Sequence, residues 1–224
     1  MKRWIAFDAA GTLFEPAEPV ENIYADCFSN FGFSLPKEKW KTAFKRAFEI
    51  TSDPDYSGNI AGETVEKNWW RDIVHNSTEA TGIRPDPDTM AAAFEELFDH
   101  YAAGSAWKLF PETAAILTSL KSESIGLAVT SNFDMRLHRV LTELGISSHF
   151  DFVLTSADAG ARKPSPLILN KFMEQAETAT EDCCMVGDSL FTDGGAAKAA
   201  GIGFYCLDRP SRTLDEFARW FRNR

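Results

Sequence analysis

A change of hydrophobic period part-way along the chain restricts its fold more than any other feature. From about residue 104 onward, short apolar runs alternate with stretches of helical spacing, whereas residues from about 20 to 103 carry helical spacing alone. Short buried strands separated by helices mean right-handed crossovers and a parallel sheet with helices on both faces. One further run of this kind, Trp4-Ile5-Ala6-Phe7, precedes the helical stretch and ends in Asp8. It belongs in the same sheet, so the helical stretch is an insertion between the first strand and the rest.

Helices are expected over 20–31, between Pro19 and Gly32, and over 37–50, where Trp40, Phe44 and Phe48 fall four apart on one face. A third, over 63–81, carries Val65, Trp69 and Ile73 and stops at Gly82; a fourth, over 86–101, has Pro87 near its start. Glu15-Pro16-Ala17-Glu18-Pro19 breaks regular structure. Beyond 104, helices are expected over 111–120, 136–144, 165–175 and 194–200, with strands over 125–131, 150–156, 183–187 and 204–207. The fold class is α/β, with a Rossmann-like three-layer core and a parallel sheet over 1–15 and 104–224, and an inserted α-helical cap domain over 16–103. The linkers near 16–19 and 103–107 are the expected hinges.

A chain of 224 residues, 44% hydrophobic and 25% charged, has room for such a core and a smaller inserted unit. Its net charge of -10 argues against nucleic acid as a partner, though a local basic pocket can still hold one small phosphate. No apolar run reaches membrane-spanning length, and Met1-Lys2-Arg3 leads into a strand too short for a signal sequence. The expectation is a cytoplasmic protein with no membrane partner; nothing in the residues bears on oligomeric state. Cys27, Cys183, Cys184 and Cys206 form no zinc spacing and no Cys-x-x-Cys pair, so they read as small residues in a reducing compartment.

Four segments place polar residues just beyond an expected strand. They are Asp8; Ser131-Asn132; Lys163-Pro164; and Gly187-Asp188 through Asp193-Gly194. Ligands of open α/β sheets bind at that edge. Asp8, Asp188 and Asp193 offer hard oxygen donors of the kind Mg²⁺ prefers, Lys163 a fixed positive charge, and Ser131 a hydroxyl donor. A carboxylate attacking a phosphoryl dianion needs such compensating cations. Asp193 is equally suited to cap the helix that follows it. Trp69-Trp70 read as packing within the insertion, and His75, His100, His138 and His149 fall outside these segments.

Asp8-Ala9-Ala10-Gly11-Thr12-Leu13 and the three later segments resemble the four motifs of the haloacid dehalogenase superfamily, over about 1–14 and 107–208. The resemblance implies Asp8 as nucleophile, with Lys163 beside it in catalysis. It implies Ser131, Asn132, Lys163 and Thr12 as substrate contacts. Asp8, the Ala10 main-chain oxygen, Asp188 and Asp193 would hold Mg²⁺, and the helical insertion would be the family's substrate-selecting cap. The expected substrate is a small phosphorylated metabolite.

The first motif departs from the family's usual Asp-x-Asp-Gly-Thr-Leu, because Ala10 replaces the second aspartate, the usual proton donor to the leaving group. Four readings follow. One is a phosphatase whose acid comes from elsewhere, Glu15 being near in sequence. A second is a phosphonatase-like carbon–phosphorus hydrolase with a cap lysine, among Lys37, Lys39, Lys41, Lys45 and Lys67, as Schiff base. A third is a metal-independent haloacid dehalogenase, against which the retained Asp188 tells. The last is a weakly catalytic binding or regulatory protein.

Overall fold

The computed structural model describes residues 2–224. In chain order its elements begin with β1 (Trp4–Phe7) and β2 (Phe14–Pro16), followed by the helices α1 (Val20–Asn30), α2 (Lys37–Ile50), α3 (Gly62–Thr81) and α4 (Pro87–His100). Then come β3 (Trp107–Leu109), α5 (Thr113–Ser122), β4 (Gly126–Ser131), α6 (Arg136–Glu143), β5 (Phe152–Thr155), α7 (Ser156–Ala159) and α8 (Leu167–Gln175). The chain finishes with β6 (Cys183–Gly187), α9 (Thr192–Ala200), β7 (Gly203–Cys206) and α10 (Leu214–Arg222).

Five strands form one parallel sheet in the order β5-β4-β1-β6-β7. β1 is central and buried along its whole length, which explains why it reads as an unbroken apolar run. Its alternate side chains serve two cores. Ile5 and Phe7 face helices α5, α6 and α10 through Leu117, Leu137, Phe217 and Phe221. Trp4 and Ala6 face α8 and α9 through Leu169, Phe172, Ala196 and Ala197. The registers Phe7↔Val129 and Phe7↔Val186 bring the C-terminal ends of β1, β4 and β6 side by side. The residues just beyond those ends therefore converge without any loop having to fold back.

The helices α1 to α4 are inserted between β2 and β3 and form a cap with its own core. Trp40 is fully buried there, with Phe28 stacked on it at 4.7 Å between ring centroids. Local chemistry sets the helix ends as the sequence implies. The Asp86 carboxylate accepts the Asp88 and Thr89 N–H groups at 3.0 Å, with Pro87 opening α4. Gly82 closes α3 at φ 85°, a conformation that disfavours other residues.

Three features depart from expectation. The stretch expected to break regular structure contains β2, which pairs antiparallel with β3 (Phe14↔Leu109, Glu15↔Lys108, Pro16↔Trp107), so the two linkers run as one short ribbon. Strands of three residues are too short to show a period. The short helix α7 lies where a loop was expected. Helix α10 also escaped, although Leu214, Phe217, Ala218 and Phe221 are buried at helical spacing. Of the cysteines, Cys27, Cys183 and Cys184 are buried, Cys206 is half-buried, and all are unbridged. Among the described residues, no helix is long and apolar enough to cross a membrane.

Candidate active site

Where β1 ends, the Asp8 N–H still bonds to the Val186 carbonyl at 2.9 Å, so the sheet itself fixes its backbone. The chain then turns through Leu13 N–H to the Ala9 carbonyl at 2.7 Å, with Gly11 at φ 85°. A Cβ on Gly11 would also run into the Asp188 carboxylate, so the glycine is needed twice over.

The Asp8 carboxylate accepts two bonds on one oxygen. Lys163 Nζ donates to Oδ1 at 2.7 Å and Ser131 Oγ at 3.2 Å; among the described residues nothing in the protein bonds Oδ2. Lys163, only 3% exposed, also reaches Asp193 Oδ1 at 2.6 Å and the Thr130 carbonyl at 2.9 Å. Asp193 sits in the first turn of α9 and accepts the Ser189 N–H at 3.1 Å. It does not cap the helix by leading it; it braces the preceding loop and pairs with Lys163. Asp8, Asp188 and Asp193 present oxygens that all lie within 4.8 Å of one another.

Three carboxylates around a single ammonium leave excess negative charge in a mostly dry place. Burial pushes the Asp8 carboxyl up to about 6 against the pull of Lys163, with Asp193 and Asp188 adding to the rise. Burial and then Asp193 likewise push Asp188 up. Burial alone would favour neutral Lys163, but Asp8 and Asp193 outweigh it and hold the ammonium above its usual range. Clustered hard oxygens with uncompensated charge suit a divalent cation, and the solvent-exposed Asp188 gives it a way in. The residues present fit such an ion.

A cavity of about 500 Å³ opens over this cluster, between the core and the cap. Asp8, Ala10, Ser131, Asn132, Lys163, Asp188 and Asp193 all line it. Thr12, expected at the substrate, does not: the turn folds it fully inside, where its carbonyl accepts a bond from Arg209 at 3.0 Å. The Asn132 amide is bound to the Lys163 backbone, accepting its N–H at 2.7 Å and donating to its carbonyl at 3.0 Å. That residue holds the lysine loop in place. Glu15 is exposed and does not line the cavity, although its neighbour Pro16 does. Among the described residues, no histidine and no cap lysine lines the cavity; Lys67 instead pairs with Glu95 at 2.7 Å.

Sequence reasoning missed the contacts that seat the cap on the core. Glu66 of α3 is fully buried, accepts from Tyr56 and Ser156, and lies 3.7 Å from Arg162. The Arg162 guanidinium stacks 3.7 Å from the Trp69 ring, and so Trp69 both packs and lines the cavity. Arg136 pairs with buried Asp134 at 2.7 Å and donates to the Phe98 carbonyl at 3.2 Å. Glu66 could have been found, because it shares a helical face with Trp69 and Ile73, and an acid on an apolar stripe needs a partner.

The sequence profile of the haloacid dehalogenase-like hydrolases matches residues 2–201. The chain belongs to that family. The haloacid dehalogenase-like hydrolase domain-containing protein 3 of Bos taurus is 30% identical over 93% of this chain and 82% of its own length. The same domain-containing protein 3 from Mus musculus is 29% identical over 97% of this chain and 86% of its own. A haloacid dehalogenase-type phosphatase from Thermococcus onnurineus superposes with a TM-score of 0.68 at 22% identity, covering 99% of this chain and 98% of that one. An L-2-haloacid dehalogenase does so with a TM-score of 0.72 at 20% identity, covering 99% of each chain. One architecture thus carries phosphatase and dehalogenase alike, so the chemistry must be argued from the site.

Proposed function

We propose that this haloacid dehalogenase-like hydrolase is a Mg²⁺-dependent phosphohydrolase that acts on a small phosphorylated metabolite through an aspartyl-phosphate at Asp8. The observation that carries this reading is Lys163 Nζ lying 2.7 Å from Asp8 and 2.6 Å from Asp193 within a three-carboxylate cluster. Residues 1–15 and 104–224 form the catalytic core in this reading, and 16–103 the cap.

Asp8 Oδ2, free of protein donors among the described residues, attacks phosphorus while Lys163 and Ser131 fix the other carboxylate oxygen. An O–P bond forms, and the ester oxygen departs with its bonding pair. Lys163 and Ser131 are also placed to hold phosphoryl oxygens, and Asn132 keeps the lysine loop in register. Asp8, Asp188, Asp193 and the Ala10 carbonyl would hold Mg²⁺, which when bound offsets the repulsion between carboxylate and phosphoryl group. Water then attacks phosphorus, releases phosphate and restores the carboxylate. Ala10 supplies no proton at either step, so the leaving oxygen takes its proton from water, and missing acid–base help lowers rates by about 10² to 10⁴.

Two alternatives lose support. A Schiff-base phosphonatase needs a cap lysine at the reacting carbon, and none of Lys37, Lys39, Lys41, Lys45 or Lys67 lines the cavity. Dehalogenation through Asp8 needs no metal, so it leaves the metal-type carboxylate Asp188 without a role. The test is initial rates on para-nitrophenyl phosphate with Mg²⁺ or EDTA, for native protein and Asp8→Asn. Metal-dependent turnover that Asp8→Asn loses is expected. Halide release from a 2-haloacid that EDTA leaves intact, without phosphatase turnover, would overturn the reading.

A further inference from the structure

We propose that the ester taken by this site carries an aromatic or similarly bulky apolar group on its alcohol side, not a polyhydroxylated one; this rests on the phosphohydrolase reading above. The two ends of the cavity differ in chemistry. The core end holds the charged cluster, whereas the cap end is walled by carbon, with Phe44 and Phe48 from α2, Trp70 from α3, and Phe94 and Phe98 from α4. A sugar hydroxyl set against that wall gives up its bonds to water and gains none. An apolar group there gains from leaving water.

The charged side chains along the wall do not alter this balance. Outside Asp8, Asp188, Asp193 and their partner Lys163, the charged residues lining the cavity are, among the described residues, Arg136, Arg162 and the solvent-exposed Asp53. Arg136 is committed to Asp134 at 2.7 Å and the Phe98 carbonyl at 3.2 Å. Arg162 is held by the Asn132 carbonyl at 3.0 Å and by Glu66. Two further polar atoms, Tyr101 OH and Trp70 Nε1, are buried with no hydrogen-bond partner. The wall's other hydroxyls are those of Thr51, already bonded to the Ala47 carbonyl and Asn76, and of Tyr24; such isolated groups suit a single acceptor on the ligand and are too few for a run of hydroxyls.

A second observation points the same way. Phe48 from the cap and Phe191 from the loop after β6 both line the cavity, and both remain solvent-exposed, at 43% and 74%. Phe48 packs on the Phe44, Trp69 and Trp70 rings, whereas Phe191, among the described residues, has no ring partner and is left far in water. At the rim of an apolar cavity, from opposite sides, the two rings are placed to close on an apolar ligand.

The experiment compares kcat/KM with Mg²⁺ for 2-phenylethyl phosphate, ethyl phosphate and glucose 6-phosphate. All three have alkyl leaving oxygens, so the missing acid penalises each alike. The phenylethyl ester is expected to exceed both others by about tenfold or more, the gain of burying one phenyl group. The variant Phe191→Ala, which removes a ring 74% exposed and so little buried packing, is expected to shrink that ratio several-fold while its circular dichroism stays native. Turnover of all three esters at similar efficiency, or preference for the sugar phosphate, overturns this inference and leaves the phosphohydrolase standing. Failure to turn over any phosphate ester overturns both.

Discussion

Asp8 is asked to be charged in a place that resists charge. Burial and two neighbouring carboxylates raise its pKa from 3.8 to about 6, and only Lys163 pulls the other way. The sign of the consequence follows. Between 3.8 and about 6 the folded protein holds a proton on Asp8 that the unfolded chain has released, so ionising it across that window weakens the metal-free fold. In the proposed phosphohydrolase reaction the attacking form is the carboxylate. Turnover at low Mg²⁺ should therefore fall as pH drops through about 6, and saturating Mg²⁺, by favouring the carboxylate, should move that limb to lower pH. A pH–rate profile at two Mg²⁺ concentrations reads this directly; a limb that does not move would argue that Asp8 is not next to the ion. Ala10 permits a second test. Ala10→Asp restores a proton donor on the cavity wall, so its rate gain should be larger for alkyl than for aryl phosphates, up to about 10² for the poorer leaving group. Equal gains on para-nitrophenyl and ethyl phosphate would mean that some other group already delivers the proton.

Elements differ in how openly the sequence declares them, and the reason is burial. Strands β1, β4 and β6 are buried on both faces, so each is an apolar run whose end can be located, and the polar residues past those ends become site candidates. Asp8, Ser131, Asp188 and Asp193 were legible for that reason, and Lys163 because it follows β5 within the same edge. Thr12 was misplaced because a turn's sequence does not say which side faces in. Glu66 and Arg162 were missed because their pairing exists only once the cap is seated. The ribbon β2–β3 left no periodic trace. Helix α10 did leave one, and it is no loose tail. Phe217 is fully buried and meets Phe7, the residue before Asp8, edge to face with centroids 6.0 Å apart. Phe217→Ala should therefore destabilise the protein by about 3–5 kcal/mol, read from denaturant unfolding. A loss well below 1 kcal/mol would mean that α10 merely lies on the core.

For the whole molecule, the cavity lies between two units, so substrate entry depends on how firmly they are held together. The β2–β3 ribbon joins cap and core at one end, and its backbone pairing limits the motion there to bending of both linkers together. Across the opening, one contact is Glu66 with Ser156 and Arg162, capped by Trp69 stacked on the guanidinium, beside those of Arg136 with the Phe98 carbonyl and Met135 N–H with Glu63. The Glu66 contact is incompletely satisfied: Glu66 Oε2 and Arg162 Nε are buried with no hydrogen-bond partner, and the two groups stand 3.7 Å apart. A buried pair in this state contributes little net stability, since desolvation offsets its attraction. Opening hydrates both groups, which makes the closed form easy to leave and the site accessible. Glu66→Ala removes the carboxylate and leaves Arg162 facing an apolar gap. The closed form then loses its attraction but keeps the desolvation of Arg162, and the open form should gain population. The expected signature is a KM for para-nitrophenyl phosphate raised several-fold with a smaller change in kcat, together with a larger radius of gyration by small-angle scattering. Glu66→Gln, which keeps the acceptor for Ser156 but not the charge, should fall between the two. An unchanged KM and radius in Glu66→Ala would place the hold on the cap elsewhere, at Arg136 and the Phe98 carbonyl.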